Sequence, residues 1–326
     1  MDKVMHCLLA AISLLVTIRG QVYKGDCDFD KPFAACGYSQ GREDDLDWEQ
    51  ANTIAKPTAD PWMPTDSAFM MVNTSGCFAG QKALLFTPQL KENDTHCVIF
   101  EYFLSGREGA GPGQLNMYIR ENNSPLGMPV WNVSGPATRD WVQVELAIST
   151  YWPNFYQMVF EVVTSGHRGL LAIKDVVLQG HQCMNTPHFL TIKGVEVNAG
   201  QTAAFHCTVN GRQRDTFNLW LQGIGGLFIG TFDVENTTKG DSGRYRCIVH
   251  SDNGVGVSNY GELTIKQPPV PIAPPQLTAV GATYMWIQLN ANSINGDGPI
   301  IDREVEYRTV SGTMYDLQPV DRPLIR

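Results

Sequence analysis

Cys97-Val-Ile-Phe-Glu-Tyr-Phe-Leu104 decides the fold class. The run is short, rich in β-branched and aromatic residues, and partly alternates apolar with polar, which is the pattern of a half-buried strand. Leu115-Asn-Met-Tyr-Ile119, Trp141-Val-Gln-Val-Glu-Leu-Ala-Ile148 and Tyr156-Gln-Met-Val-Phe-Glu-Val-Val163 share that character, with Gly, Pro and Asn between them. No long stretch carries a helical period. The chain is all-β, most simply a row of sandwiches.

The N-terminus sets the compartment. The apolar run Leu8-Leu-Ala-Ala-Ile-Ser-Leu-Leu-Val-Thr-Ile18, ending at Arg19-Gly20, has the length of a signal-peptide core. It is short of the roughly 20 apolar residues of a spanning helix. Residues 1–20 are expected to be a signal peptide, and no second such run anchors the chain in a membrane. The following ~300 residues exceed one ordinary core and suggest two or three domains. The formal net charge is −9, and no run of Lys or Arg exceeds two residues. Nucleic acid and direct membrane insertion are therefore not expected. The acidic stretch Glu43-Asp-Asp-Leu-Asp-Trp-Glu49 is expected to be a solvated loop.

Of eight cysteines, seven follow the signal, and none lies in a C-x-x-C spacing, so no zinc site is expected. In an oxidising compartment the natural pairs are Cys27–Cys36, Cys97–Cys183 and Cys207–Cys247, each contributing roughly 2.5–4.5 kcal/mol. Cys77 is left over, either buried and inert or a free thiol able to bond another chain. Five sequons fit the same compartment: Asn73, Asn93, Asn122, Asn132 and Asn236, of which Asn122 has Pro125 just after its Ser124.

Two boundaries stand out, Cys183-Met-Asn-Thr-Pro187 and the proline-dense Gln267-Pro-Pro-Val-Pro-Ile-Ala-Pro-Pro275. Between them, Cys207 lies in Thr202-Ala-Ala-Phe-His-Cys-Thr-Val209, Trp220 follows thirteen residues later, and Asp241-Ser-Gly-Arg-Tyr-Arg-Cys247 closes the set. These residues match an immunoglobulin core, with Trp220 packing on the bridge and Tyr245 in the corner position two residues before the second cysteine. The same stretch contains Ala203-Ala-Phe-His-Cys207 and Gly240-Asp-Ser-Gly243, which echo serine-protease motifs. A triad brings Ser and His together from two barrels, and His206 and Ser242 are too close in sequence for that. Only Leu221–Thr231 separates the Trp strand from Phe232-Asp-Val234, so this domain is short.

Cys27-Asp-Phe-Asp30 with Cys36, Asp44-Asp-Leu-Asp-Trp48, Cys97-Val-Ile-Phe-Glu-Tyr-Phe103, Arg139-Asp-Trp141 and Leu170-Leu-Ala-Ile-Lys-Asp-Val-Val-Leu178 before Cys183 together resemble a MAM domain. Where that family usually has two acids near the last strand, this chain has Lys174-Asp175, so no metal is expected. Pro274-Pro-Gln-Leu277, Tyr284-Met-Trp-Ile-Gln-Leu289, Asn295-Gly-Asp-Gly-Pro-Ile300 and Glu304-Val-Glu-Tyr-Arg308 resemble the front of a fibronectin type III domain, with Trp286 in its core. The resemblance implies tandem β-sandwiches: a jelly-roll-like MAM domain over 21–185, a short immunoglobulin-like domain over 186–267, and a proline linker with an incomplete fibronectin type III domain over 268–326.

That order is similar to the outer region of the type IIB receptor protein tyrosine phosphatases. Asp60-Pro-Trp-Met-Pro64, Lys91-Glu-Asn-Asp-Thr-His-Cys97 and Gly194-Val-Glu-Val-Asn-Ala-Gly200 look most like the mu member. The resemblance implies a cell-surface ectodomain, or a secreted fragment, that binds the same protein on a facing cell. The alternative is a soluble heterophilic ligand or decoy that blocks adhesion. Catalysis is not expected from this chain. A tyrosine phosphatase needs an activated thiolate beside a phosphate loop, no cysteine here has that context, and no H-E-x-x-H occurs. No cofactor is expected.

Overall fold

The computed structural model describes residues 24–91, 94–106, 109–150, 155–210, 218–219, 229–288, 294–297 and 300. The signal segment, Asn93, Trp220 and the segment from 301 onward lie outside the described residues. The chain forms two compact units, one of residues up to Lys193 with Phe205–Phe232 and Tyr245–Gly261, the other of Gly194–Ala204, Asp233–Arg244 and Glu262–Arg326. Almost every element is a strand, and among the described residues there is no α-helix.

Ten strands come first: β1 (Ser39–Gln40), β2 (Glu49–Asn52), β3 (Ala68–Asn73), β4 (Lys82–Phe86), β5 (Asp94–Gly106), β6 (Gly113–Glu121), β7 (Trp131–Ser134), β8 (Val142–Thr150), β9 (Tyr156–Thr164) and β10 (Gly169–Gln179). They build two facing layers. One is a five-stranded sheet in the order β1-β4-β9-β6-β7. The other contains β8-β5-β10-β3-β2. Residues with period two fill the space between. Leu115, Met117 and Ile119 of β6 and Met158, Phe160 and Val162 of β9 meet Val98, Phe100 and Leu104 of β5 in one core. Phe100 is fully buried and packs edge-on against Phe160 at 5.2 Å and Trp131 at 5.4 Å. Burying each such ring contributes about 1.5–3 kcal/mol, plus about 0.5–1.5 kcal/mol for the edge-to-face geometry.

The acidic stretch before Trp48 is an exposed loop anchored to β4. Asp44 Oδ2 accepts from Leu84 N at 2.6 Å and Asp45 Oδ2 from Lys82 N at 2.9 Å. These carboxylates satisfy backbone donors of β4, and Trp48 is buried beside them with its indole N–H on Ala83 O at 3.2 Å. The expected solvated loop is present, with Glu43, Asp45 and Asp47 exposed, and two of its acids are also fastened to β4. Its acids stitch the rim of the sheet because β1 is only two residues long and cannot do so.

The second layer does not stop at Cys183. After β11 (His188–Phe189), β12 (Val195–Asn198), β13 (Ala203–Asn210), β14 (Asn218–Leu219), β15 (Ile229–Val234) and β16 (Gly243–Tyr245), strands β17 (Ile248–Ser251) and β18 (Gly254–Val257) join it. The result is one eight-stranded sheet, β14-β17-β18-β8-β5-β10-β3-β2. β18 lies parallel to β8 with Gly254 opposite Glu145 and Val257 opposite Ile148, and Val255 and Val257 enter the same apolar core as Leu146 and Ile148. A Cβ on Gly254 would stand 1.8 Å from the Glu145 carbonyl oxygen, so only glycine permits this approach. The Glu145 side chain, 3 % exposed, accepts from Asn185 N at 3.0 Å and Asn185 Nδ2 at 2.9 Å, fastening the connecting segment. Arg246 Nη1 donates to Ile119 O at 3.2 Å, and its guanidinium lies 4.9 Å over Tyr260.

His188 sits within that junction, 1 % exposed, with Nε2 accepting from Cys183 N at 2.8 Å. Burial first, and then the neighbouring His96, hold its pKa down to about 4 from 6.5, against a smaller opposing effect of the Ile148 backbone. Glu145 approaches the same connecting segment through Asn185.

In the second unit β12 pairs in parallel with β19 (Gly261–Lys266), Val195 opposite Leu263 and Asn198 opposite Lys266, and Lys266 is ion-paired to Glu196. Two antiparallel pairs follow, and only the second joins consecutive strands. β20 (Val270–Pro271) pairs with β23 (Ile294–Asn295), and β21 (Gln276–Val280) pairs with β22 (Met285–Gln288). Leu277 and Trp286 of the latter are 59 % and 66 % exposed, so Trp286 is not in a core among the described residues.

Two outcomes follow from the junction. Gly254→Ala should cost about 1–3 kcal/mol by backbone overpacking and open the segment around residues 183–187 to proteolysis. Gly243→Ala, where nothing lies within 4 Å, is the control. Thermal melting and limited proteolysis check both, and an unchanged Gly254→Ala protein would contradict the pairing. Second, the unfolded chain protonates His188 near pH 6.5 and the folded chain only near 4. The stability from its neutral form is present above 6.5 and is lost as pH falls through that window, by up to about 3 kcal/mol. Denaturant titrations at several pH values should show this loss in the native protein and a smaller one in His188→Gln.

Candidate functional site

The face of the five-stranded sheet turned away from the core carries a connected polar network. Because Leu115, Met117, Ile119, Phe160 and Val162 point inward, the intervening Asn116, Tyr118, Arg120 and Glu161 lie on the other face. Glu161 is 3 % exposed. Its Oε2 accepts from Asn116 Nδ2 at 2.8 Å and Tyr118 Oη at 2.7 Å, and its Oε1 lies 3.0 Å from Lys82 Nζ. Burial by itself would raise the Glu161 pKa, but the hydrogen bonds from Asn116, Tyr118 and Lys82, with the lysine's charge, outweigh it and hold the carboxyl below its usual range. The Tyr118 phenol is pushed above its usual range by burial first and then by its bond to Glu161. Arg120 Nη2 donates to Gln157 Oε1 at 2.6 Å, and its guanidinium lies 5.2 Å over the Phe86 ring. Two buried atoms of this face, Asn116 Oδ1 and Arg120 Nε, have no hydrogen-bond partner.

On the opposite layer, Lys174 occupies the place expected to differ from the family pattern. Its Nζ is 3.2 Å from Glu101 and 3.4 Å from Asp175, and it lies 4.9 Å over Trp141. The strand bulges between Lys174 and Val177, with Asp175 at φ 48°. The ammonium neutralises the two acids internally. Cys97, Cys183 and Glu145 are the one metal-like cluster among the described residues. The two sulfurs are bonded to each other and the carboxylate holds Asn185, so the trio offers no free ligand set.

The structure places the other sequence-named residues as follows. Disulfides join Cys27 to Cys36, Cys97 to Cys183 and Cys207 to Cys247. Cys77 is a free, half-buried thiol 3.7 Å from Asn73 O. Tyr245 packs on Phe205 with centroids 5.1 Å apart. His206 Nδ1 faces the Thr231 hydroxyl at 3.5 Å, and Ser242 Oγ accepts from Ile265 N at 3.3 Å, so each has a structural partner of its own. Asn73, Asn122, Asn132 and Asn236 are exposed. The Glu161 network was not anticipated from sequence. Its one signal is the polar–apolar alternation of Asn116-Met-Tyr118 opposite Phe160-Glu161.

Known proteins place the chain. Residues 27–184 match the MAM domain (meprin/A5/mu) family. A receptor-type tyrosine-protein phosphatase U of Gallus gallus is 42 % identical over 334 residues, covering 97 % of this chain and 23 % of that protein. The chain thus spans about a quarter of that relative's length. The angiopoietin-1 receptor of Danio rerio is 26 % identical over 161 residues, 44 % of this chain and 14 % of that one. Among solved structures, the K1 cleaved adhesin domain of Lys-gingipain from Porphyromonas gingivalis W83 aligns with 44 % of this chain and 89 % of its own, at 12 % identity and a TM-score of 0.33. Nothing in these matches singles out the mu member. By its MAM domain and a match over nearly its whole length, the chain is similar to a stretch of a receptor-type tyrosine phosphatase.

Proposed function

We propose that this chain is an extracellular adhesion and recognition region that binds the same protein on a facing cell, and that it performs no catalysis itself. The observation that carries the reading is the match of 97 % of the chain to a receptor-type tyrosine phosphatase. Three disulfides fit an oxidising compartment. No helix among the described residues is long and apolar enough to cross a membrane. The segment after Cys183 is read as a short immunoglobulin-like domain and the hairpin around Trp286 as the start of a fibronectin type III domain. The exposed sequon asparagines are read as glycosylated.

A second reading, a soluble blocker of adhesion, draws support from the open apolar face of the β21–β22 hairpin.

Beads coated with this chain should aggregate with beads carrying a complete ectodomain of the same receptor, and should leave a phosphotyrosine analogue unhydrolysed. Failure to join complete-ectodomain beads removes the homophilic reading. Self-aggregation as strong as that of complete ectodomains removes the blocker reading.

A further inference from the structure

Gln267-Pro-Pro-Val-Pro-Ile-Ala-Pro-Pro275 leaves strand β19 and leads to the β21–β22 hairpin. A proline-dense connection by itself is a semi-rigid spacer whose ends are free to swivel. Here its first residues are paired. Val270 stands opposite Asn295, and Pro271 opposite Ile294, in the antiparallel β20–β23 pair. Beside that pair, Asp297 N donates to Gln267 O at 2.7 Å, and Gln267 N donates to Asp297 Oδ2 at 3.1 Å. The two residues, 30 apart in sequence, thus exchange reciprocal bonds and close the base of the excursion that carries the hairpin.

The same carboxylate is tied to the preceding sheet. Lys239 Nζ is ion-paired with Asp297 Oδ2 and also donates to Ile265 O of β19 at 3.0 Å. Lys239 is itself placed by a 3₁₀ turn, Lys239–Asp241, in which Asp241 Oδ2 accepts from Thr238 N and Thr238 Oγ1, each at 2.8 Å. The backbone approach is as specific as the charge. Gly296 has φ 137°, and a Cβ there would stand 2.6 Å from Pro268 O and 2.8 Å from Pro269 Cα. Those are backbone atoms, which cannot turn aside as a side chain does. The ion pair is partly exposed and contributes little alone, so its value lies in acting together with these backbone bonds.

We infer that Asp297 is a latch that holds the proline segment against β19, so that the segment is a fixed strut and not a swivel. This goes beyond the adhesion reading and does not rest on it. Its consequence is that any surface carried by the β21–β22 hairpin leaves the β12-β19-β16 sheet in one set direction. A partner that touches both then has less motion to freeze on binding.

Hydrogen exchange on the whole secreted chain reads the latch directly, because the Gln267 and Asp297 amides are two of its donors. Both should exchange slowly in the native protein. Gly296→Ala and Asp297→Ala should each speed exchange at Gln267 by about three- to tenfold, the effect of losing roughly one net hydrogen bond. Thermolysin cleavage within residues 267–275 should rise with it. Asp297→Asn keeps an acceptor and drops the charge, so its rise should be smaller. Glu196→Gln, which removes the Lys266–Glu196 ion pair, is the control and should change neither rate. Should either alanine variant melt the β12–β19 pair, the native protection and the Asp297→Asn rise decide. Freely exchanging Gln267 and Asp297 amides in the native protein overturn the inference. So does a faster Gln267 amide with cleavage unchanged, since that is a lost local bond and not a freed segment.

Discussion

Parallel pairing of β8 with β18 is the constraint on which the first unit depends. Two backbones approach so closely at Gly254 and Glu145 that no side chain fits between them. That approach lets Val255 and Val257 share a core with Leu146 and Ile148. The Cys97–Cys183 bridge, the Glu145–Asn185 clamp and the Arg246 contact on the Ile119 carbonyl all lie around the same seam. Each is modest alone. Together they tie a connecting segment that would otherwise be a flexible link, since a junction lacking buried apolar contact moves by default.

Among the described residues, buried polar groups rely on the partners the sheet supplies, and a few atoms, Asn116 Oδ1 and Arg120 Nε among them, have none. Glu161 loses water but gains three donors, and its carboxyl stays ionised. His188 is buried with its Nε2 on the Cys183 backbone, so burial favours the neutral ring and the seam becomes sensitive to acid. Lys174 shows the same logic with the sign reversed: the ammonium lies between two carboxylates and over an indole. These sites differ in chemistry, but each is set by what the sheet places opposite the buried charge.

Residues such as Cys97–Leu104 and Tyr156–Val163 declared their strand character because alternation with a period of two is local. The cysteine spacings and Asn132-Val-Ser134 were likewise legible, being short motifs in a secretory context. Which strands become neighbours was not legible, because the register between segments far apart in sequence leaves no local trace. Asn116 and Glu161 are 45 residues apart and meet only through the pairing of β6 with β9. Gly254 looks in sequence like an ordinary turn glycine, and Asp44 and Asp45 look like solvent-facing acids. Their roles appear only when a partner backbone arrives.

The sequence by itself determined an all-β, disulfide-bonded chain with a MAM-type first sandwich, since strand propensity, cysteine spacing and motif order are properties of the covalent chain. Tertiary structure alone decided that one sheet runs past Cys183 and that β4 draws its rim donors' partners from Asp44 and Asp45. It also decided that Asn116, whose amide oxygen is buried, stands opposite Asn132 of the edge strand. The physical reason is that non-local hydrogen bonds and close backbone contacts depend on which segments are brought together, and no stretch of one strand contains that information.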